Sequence, residues 1–381
     1  MSKRPRALVV LGTRPEAVKL APVVRALKAL GDVDCRVVLT GQHRTMLAQA
    51  AEPLGLSASH DLRLMRRGQT LNQLAARALG KLGDIVRRER PDLVIVQGDT
   101  TTALCAALAA SHERVPVAHV EAGLRTFDRA NPFPEEANRV LVDELAALLF
   151  PPTRAAARHL AAQGKGSTLV TGNTVVDSVL WACAHPRPAA NRRLGAILAT
   201  SGPIILATMH RRESFDGRMA RALGAMREVL VRNQGVRMIF PLHLNPVARK
   251  TARTHLRHPR AILLEPLDYH DSVAALRRCS FVMTDSGGLQ EEAATLGKPV
   301  LVLRSATDRP ESVKAGVAVV VGFSPAAILR ESGRLLAGGA AYRRMARRAM
   351  IYGDGRAGER IAAEIRRFLG LRAAAPRPFT R

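Results

Sequence analysis

The sequence predicts an α/β protein of two doubly wound, Rossmann-like domains, each a parallel sheet covered by helices. Three observations predict it. Short unbroken runs of Val, Ile and Leu recur along the chain, and a strand that is apolar on both faces is one buried on both faces, as in parallel sheets. Each run is followed by a longer stretch with helical spacing, the alternation expected of βαβ units. A chain of 381 residues also exceeds the usual single domain of roughly 100 to 200 residues.

In the first half, ALVVLG at 7–12, CRVVLT at 35–40, DLVIVQG at 92–98 and VPVAHVE at 115–121 read as buried strands. Residues 15–30, 70–90, 100–112 and 135–147 supply the helices. A Pro- and Ala-rich stretch, CAHPRPAANRR, marks a boundary region near 178–195. A second series follows, with PIILATMH at 203–210, VRMIFPLH at 236–243, AILLEPL at 261–267, SFVMTDS at 280–286, PVLVLR at 299–304 and VAVVVG at 317–322. The expected domains are therefore 1–178 and 195–355. A helix at about 356–370 could pack back on the first, and the tail AAAPRPFTR reads as frayed.

Lys and Arg number 58 against 32 Asp and Glu, a net charge of +26 that invites a nucleic-acid hypothesis. The distribution argues against it. Arginines cluster only near 63–67 and 343–348, and nine Phe, three Tyr and one Trp leave few rings to stack on bases. A small anionic substrate and a generally basic surface account for the charge. Cys35, Cys105, Cys183 and Cys279 are far apart and form no CxxC pair, which indicates neither a zinc site nor a disulfide framework and fits a reducing cytoplasm. The basic N-terminus precedes an apolar run that ends at Gly12, too short for a signal peptide and better read as the first strand. No run is long enough to span a membrane.

In open parallel sheets, ligands bind beyond the carboxyl ends of the strands. Gly12 to Arg14, Gly98 to Thr101, His119 to Glu121, His210 to Arg212, His243 and Asp285 to Gly288 all fall there, so one cleft between two domains is expected. Residues 280–304 read as strand, glycine turn, helix and strand. Gly287 and Gly288 allow close backbone approach, and the free N–H groups of the first helical turn suit phosphate. The alternative is a capped helix whose Glu291 and Glu292 favour its dipole. Neither GxGxxG nor GxxxxGK[ST] occurs, which removes the main support for a dehydrogenase or a kinase.

Arg14 could fork onto a diphosphate, with Lys19 farther along the same helix, or both could be solvated charges. Asp99, ahead of three threonines, could be a general base, although cap statistics favour a helix N-cap. Glu121, Glu135 and Glu136 gather near a strand end and a proline-rigidified loop, where acids can have their pKa values pushed apart into one acid and one base. One of Glu135 and Glu136 could instead cap the helix that starts there. His210 and His243 at strand ends, with Arg211 and Arg212 beside the first, suit a proton or phosphate role. No HxxxH or HxH pair occurs, and no metal site is expected.

In the order GTRPEAVKLAP, GQHRTML, GDTTT, HVEAGLRT, PFPEEANR, GNTVVDS, HRRES, HLNP, TDSGGLQEE, LGKPVLVLR, RPE and YGDG, the chain resembles the non-hydrolysing UDP-N-acetylglucosamine 2-epimerases nearly end to end. That family has the glycosyltransferase-B type of fold. The resemblance implies reversible inversion at C2 between UDP-GlcNAc and UDP-ManNAc, by elimination of UDP to a 2-acetamidoglucal and re-addition, with no redox cofactor. It matches Asp99, Glu121 and Glu135 to catalytic carboxylates and His210 to the catalytic histidine, with the face each serves left open. Arg14 and Lys19 match diphosphate-side residues, and His243 lies in the HLNP motif. Ser286, Gly287 and Gly288 match the phosphate-binding turn, Glu292 a ribose acceptor and Arg309 a nucleotide holder. Gln42, His43 and Arg211 resemble parts of a second UDP-GlcNAc site that acts as activator. A cytoplasmic homodimer feeding surface polysaccharide synthesis is also implied.

Departures from the family pattern are Gln97 in place of His, Asp308 in place of a frequent Glu, and Arg66 and Arg67 in a segment usually more neutral. Relatives acting on diacetamido-glucuronic acid nucleotides share these motifs, and an extra substrate carboxylate would suit the added arginines. A glycosyltransferase of the same fold is the other alternative.

Overall fold

The computed structural model describes residues 4–41, 53–66, 68–130, 132–166, 168–211, 214–215 and 217–380. Gln42, His43, Arg67 and Arg212 lie outside the described residues. The chain forms two compact units, Met1–Leu180 with Tyr352–Arg381, and Trp181–Ile351. Two doubly wound α/β units in one chain are the glycosyltransferase-B type of architecture.

The first unit runs β1 (Arg6–Leu11), α1 (Arg14–Leu30), β2 (Asp34–Leu39), β3 (His60–Asp61), α2 (Leu71–Glu89), β4 (Leu93–Gln97), α3 (Thr101–His112), β5 (Val117–Val120), α4 (Glu135–Leu145), β6 (Leu148–Phe150), α5 (Arg154–Ala162) and α6 (Thr174–Ala184). Its sheet is parallel with order β3-β2-β1-β4-β5-β6. The unbroken apolar runs form its centre, where Ala7 to Leu11 and Leu93 to Val96 are buried along their whole length. Leu8 and Val10 share a core with Leu74, Leu82 and Val86 of α2 and Ala103 and Ala107 of α3. Burying each of those Leu side chains is worth about 1.5–3 kcal/mol. The edge strands β3 and β6 were not among the expected strands, because two or three residues are too few to display a period.

The second unit continues with α7 (Arg192–Leu198), β7 (Ile204–Thr208), α8 (Arg218–Arg232), β8 (Arg237–Pro241), α9 (Pro246–His255), β9 (Ala261–Leu264), α10 (Tyr269–Arg278), β10 (Phe281–Thr284), α11 (Gly287–Thr295), β11 (Val300–Val302), α12 (Pro310–Lys314), β12 (Ala318–Val320), α13 (Pro325–Leu336) and α14 (Gly339–Met345). Its parallel sheet has order β12-β11-β10-β7-β8-β9, the first unit's winding repeated. In both sheets the winding reverses direction between two central strands, β1 and β4 in one and β7 and β10 in the other. Such a switch point opens a crevice at the strand carboxyl ends.

The division between the units falls inside α6, between Leu180 and Trp181, within the 178–195 region, and the Pro-rich 185–191 stretch belongs to the second unit. Pro186 and Pro188 stop the helix, since the residue before a proline is pushed out of helical conformation. The tail is not frayed. Phe379 is buried, its N–H donates to the Val170 carbonyl at 2.8 Å, and the Arg360 guanidinium lies over its ring. The last helix, α15 (Ala357–Phe368), packs against α1 of the first unit. Gly358 permits the contact, because a Cβ there would stand 2.8 Å from Pro22.

Candidate active site

In the first unit, the switch-point loops after β1 and β4 are tied together by one buried acid. Glu16 Oε2 accepts from the backbone N–H groups of Gly12 at 2.9 Å and Thr13 at 2.5 Å, and its Oε1 accepts from the Thr100 hydroxyl at 2.7 Å. Burial pushes the Glu16 carboxyl up to about 7, against the pull of those hydrogen bonds. The tie sets Arg14 at the start of α1 and Asp99 immediately before Thr100.

Asp99 is not the helix cap that cap statistics favour. Thr100 caps α3, accepting from Ala103 N–H at 3.0 Å, which leaves the Asp99 carboxylate to pair with Arg139. The Asp99 backbone is pinned as well, its carbonyl accepting from Asn138 Nδ2 at 2.8 Å. Glu121 follows β5 with a positive φ of 68°, a left-handed conformation unusual for a side chain this large. Its carboxylate is only 5% exposed and bridges Lys19 at 2.7 and 2.5 Å; Asn173 donates at 3.3 Å and Gln97 closes the ring. Gln97, a departure from the family pattern, therefore serves Glu121 directly. A Cβ on Gly98 would lie 4.0 Å from Glu121 Oε2, so Asp99 and Glu121 sit on neighbouring strand ends.

Beneath them, His119 is fully buried between Asp143 at 2.6 Å and the Gly98 carbonyl at 2.8 Å. Burial works to raise the Asp143 carboxyl, but His119 and Arg125 outweigh it and hold it below the ordinary range. Of the two acids that open α4, Glu136 is structural. It accepts from Thr126 and Phe127 N–H at 3.0 and 3.1 Å and pairs with Arg139 at 3.3 Å. Glu135 has no such partner among the described residues.

In the second unit, His210 and Arg211 follow β7, and Asp285 follows the adjacent β10. Buried Asp285 accepts from both backbone N–H groups, at 2.7 and 2.8 Å. The His210 ring stacks on His243 with centroids 5.0 Å apart and an interplanar angle of 17°. Ser286 is the N-cap of α11 but makes no side-chain cap hydrogen bond, so Gly287 and Gly288 open a helix whose first N–H groups are available to an anion.

Arg309 stands over that turn, its Nη2 3.4 Å from where a Gly287 Cβ would be. Buried Glu291 holds the guanidinium there instead of merely favouring the helix dipole. Asp308 joins Arg304 at 2.9 Å, Arg211 at 3.5 Å and Arg309 at 3.7 Å. Burial pushes its carboxyl up, but the three guanidinium groups outweigh that and keep it well below the usual range. Three cations around one acid beside a helix N-terminus form a setting for phosphate. Glu292 Oε1 accepts from the buried Tyr269 hydroxyl at 3.0 Å.

The folding thus gathers Lys19, Glu121 and Asp99 in one unit, and His210, His243, Gly287, Glu292 and Arg309 in the other. Sequence reasoning overlooked Asn173, Arg139, Asp143 and Tyr269. Asn173 and Arg139 stood inside quoted motifs, but the carboxylates they meet, Glu121 and Asp99, lie 52 and 40 positions away, and nothing links Tyr269 to Glu292 in the sequence.

The family model described as UDP-N-acetylglucosamine 2-epimerase matches residues 25–366. The UDP-N-acetylglucosamine 2-epimerase of Escherichia coli K12 is 40% identical over 366 residues, covering 93% of this chain and 97% of its own. Among solved structures, Staphylococcus aureus MnaA with UDP aligns with a TM-score of 0.91 at 38% identity, covering 99% of this chain and all of the other. The Neisseria meningitidis UDP-GlcNAc 2-epimerase bound to UDP-GlcNAc aligns with a TM-score of 0.88 at 35% identity, covering 95% of this chain and 100% of that one. On this evidence, the chain belongs to the UDP-N-acetylglucosamine 2-epimerase family.

Proposed function

We propose that the protein is an isomerase that interconverts UDP-GlcNAc and UDP-ManNAc by eliminating and re-adding UDP. The observation that carries this reading is the set of three carboxylates in three environments. Glu121 is buried and clamped by a lysine, Asp99 is half-buried against Arg139, and Glu135 has no ion-pair or hydrogen-bond partner among the described residues. Environments that differ in this way suit acid and base tasks that must alternate as the proton leaves one face of C2 and returns to the other. In the forward step the C2–H proton passes to a carboxylate, the C1–O bond breaks, and UDP carries away the electron pair. The C1–C2 double bond of a 2-acetamidoglucal is left. Protonation at C2 from the opposite face and attack of UDP at C1 complete the inversion.

The second unit supplies the grip on UDP. Gly287, Gly288 and Arg309 take the diphosphate and Glu292 the ribose hydroxyls, and Arg14 is the diphosphate-side residue of the first unit. His210 stabilises the departing phosphate, with His243 against its ring. No redox step occurs. A homodimer, and an activating second UDP-GlcNAc held in part by Arg211, belong to the same reading. So does a cytoplasmic role in supplying surface polysaccharide precursors, consistent with four free thiols. No helix among the described residues is long and apolar enough to cross a membrane.

Incubation with UDP-GlcNAc in heavy water tests the mechanism. Deuterium is expected at C2 of both epimers by mass spectrometry and NMR, and epimerisation without label would overturn it. Parallel incubation with UDP-diacetamido-glucuronic acid separates the related substrate class.

A further inference from the structure

We infer that Asp285 is a positioning residue that fixes both the tautomer and the orientation of His210. The inference deepens the proposed function and rests on it for the importance of His210 to turnover, though not for the contact itself. β7 and β10 are adjacent and parallel with Thr208 opposite Thr284, so the residues just beyond their ends meet. The Asp285 side chain is 1% exposed, and its Oδ2 takes the backbone N–H groups of His210 and Arg211. Its Oδ1 is fully buried, with no hydrogen-bond partner among the described residues, and lies 3.3 Å from His210 Nδ1.

A buried carboxylate oxygen left without a donor is costly, and an Nδ1–H turned toward it removes that cost. His243 covers one face of the ring, so backbone, ring edge and ring face of His210 are all held. With the proton on Nδ1, the neutral ring keeps a bare Nε2 that can take a proton. When protonated, the ring offers Nε2–H while Asp285 balances its charge. A carboxylate behind a histidine selects the tautomer in this way in hydrolytic triads. His210 itself is 35% exposed at the side chain, so its outer edge remains accessible.

The isosteric change Asp285→Asn separates the two duties. An amide oxygen still accepts from both backbone N–H groups, while the amide NH2 now faces Nδ1 and donates to it, moving the proton to Nε2. Nitrogen-15 NMR of histidine-labelled protein should show the Nδ1–H form in the parent and the Nε2–H form in the variant. The kcat for UDP-GlcNAc should fall about 10²- to 10⁴-fold, with KM little changed. In a His210→Gln background the same substitution should have little further effect.

An Nε2–H tautomer in the parent overturns the inference even if the variant fails to fold. So does a full Asp285→Asn loss that persists without His210. If His210→Gln alone left turnover near normal, the reading of His210 in catalysis would fall, while the tautomer measurement would still decide the contact.

Discussion

Lys19 and Glu121 show how a residue's place in the fold sets its chemistry. Both side chains are largely buried, 13% and 5% exposed, and each neutralises the other where water cannot. Replacing Lys19 by Met should leave an uncompensated buried carboxylate and cost about 3–5 kcal/mol in denaturant unfolding, much of it recovered when Glu121→Gln is added. Equal stability of the single and double variants would dismiss the pair as a structural unit. At this scale the sequence was informative about where acids gather and poor about who partners them. On statistics Asp99 is the better cap residue, yet Thr100 caps α3. The outcome was decided by Arg139, forty positions away, which took the carboxylate.

Strands were the most legible elements, because burial on both faces writes an unbroken apolar run into the sequence, as in Val94, Ile95 and Val96. The glycine turn before α11 was legible for another reason, since two glycines soon after a buried apolar run mark the passage from strand to helix. Helix docking was not legible. Gly358 looks like an ordinary glycine in sequence, yet it lets α15 lie on Pro22, and its N–H donates to Asp177 at 2.7 Å. Gly358→Ala should push a methyl into the backbone of α1 and destabilise the protein by about 1–3 kcal/mol, read as a lowered thermal midpoint. An unchanged midpoint would mean that the two helices can separate at little cost.

At the scale of the whole molecule, two copies of one winding were predictable from the alternation of runs and helices. The return of a helix near 356–370 to the first unit was an expectation of the sequence, whereas the docking of the tail behind it was not. Ala357, Ile361, Ala362, Ile365 and Phe379 bury themselves in the first unit, and Arg366 reaches Asp32 at 2.6 Å. Removing residues 352–381 should strip amide-exchange protection from α1 and β1 while the sheet of the second unit keeps its own, because the buried apolar groups lost are worth about 1.5–3 kcal/mol for each large one. Undiminished protection in α1 would refute this. The consequence reaches to the ribosome. Chains usually complete their domains from the N-terminus onward as they emerge. Here the second unit is contiguous and can close first, while the unit that starts the chain waits, with one side of α1 uncovered, until the final helix is released.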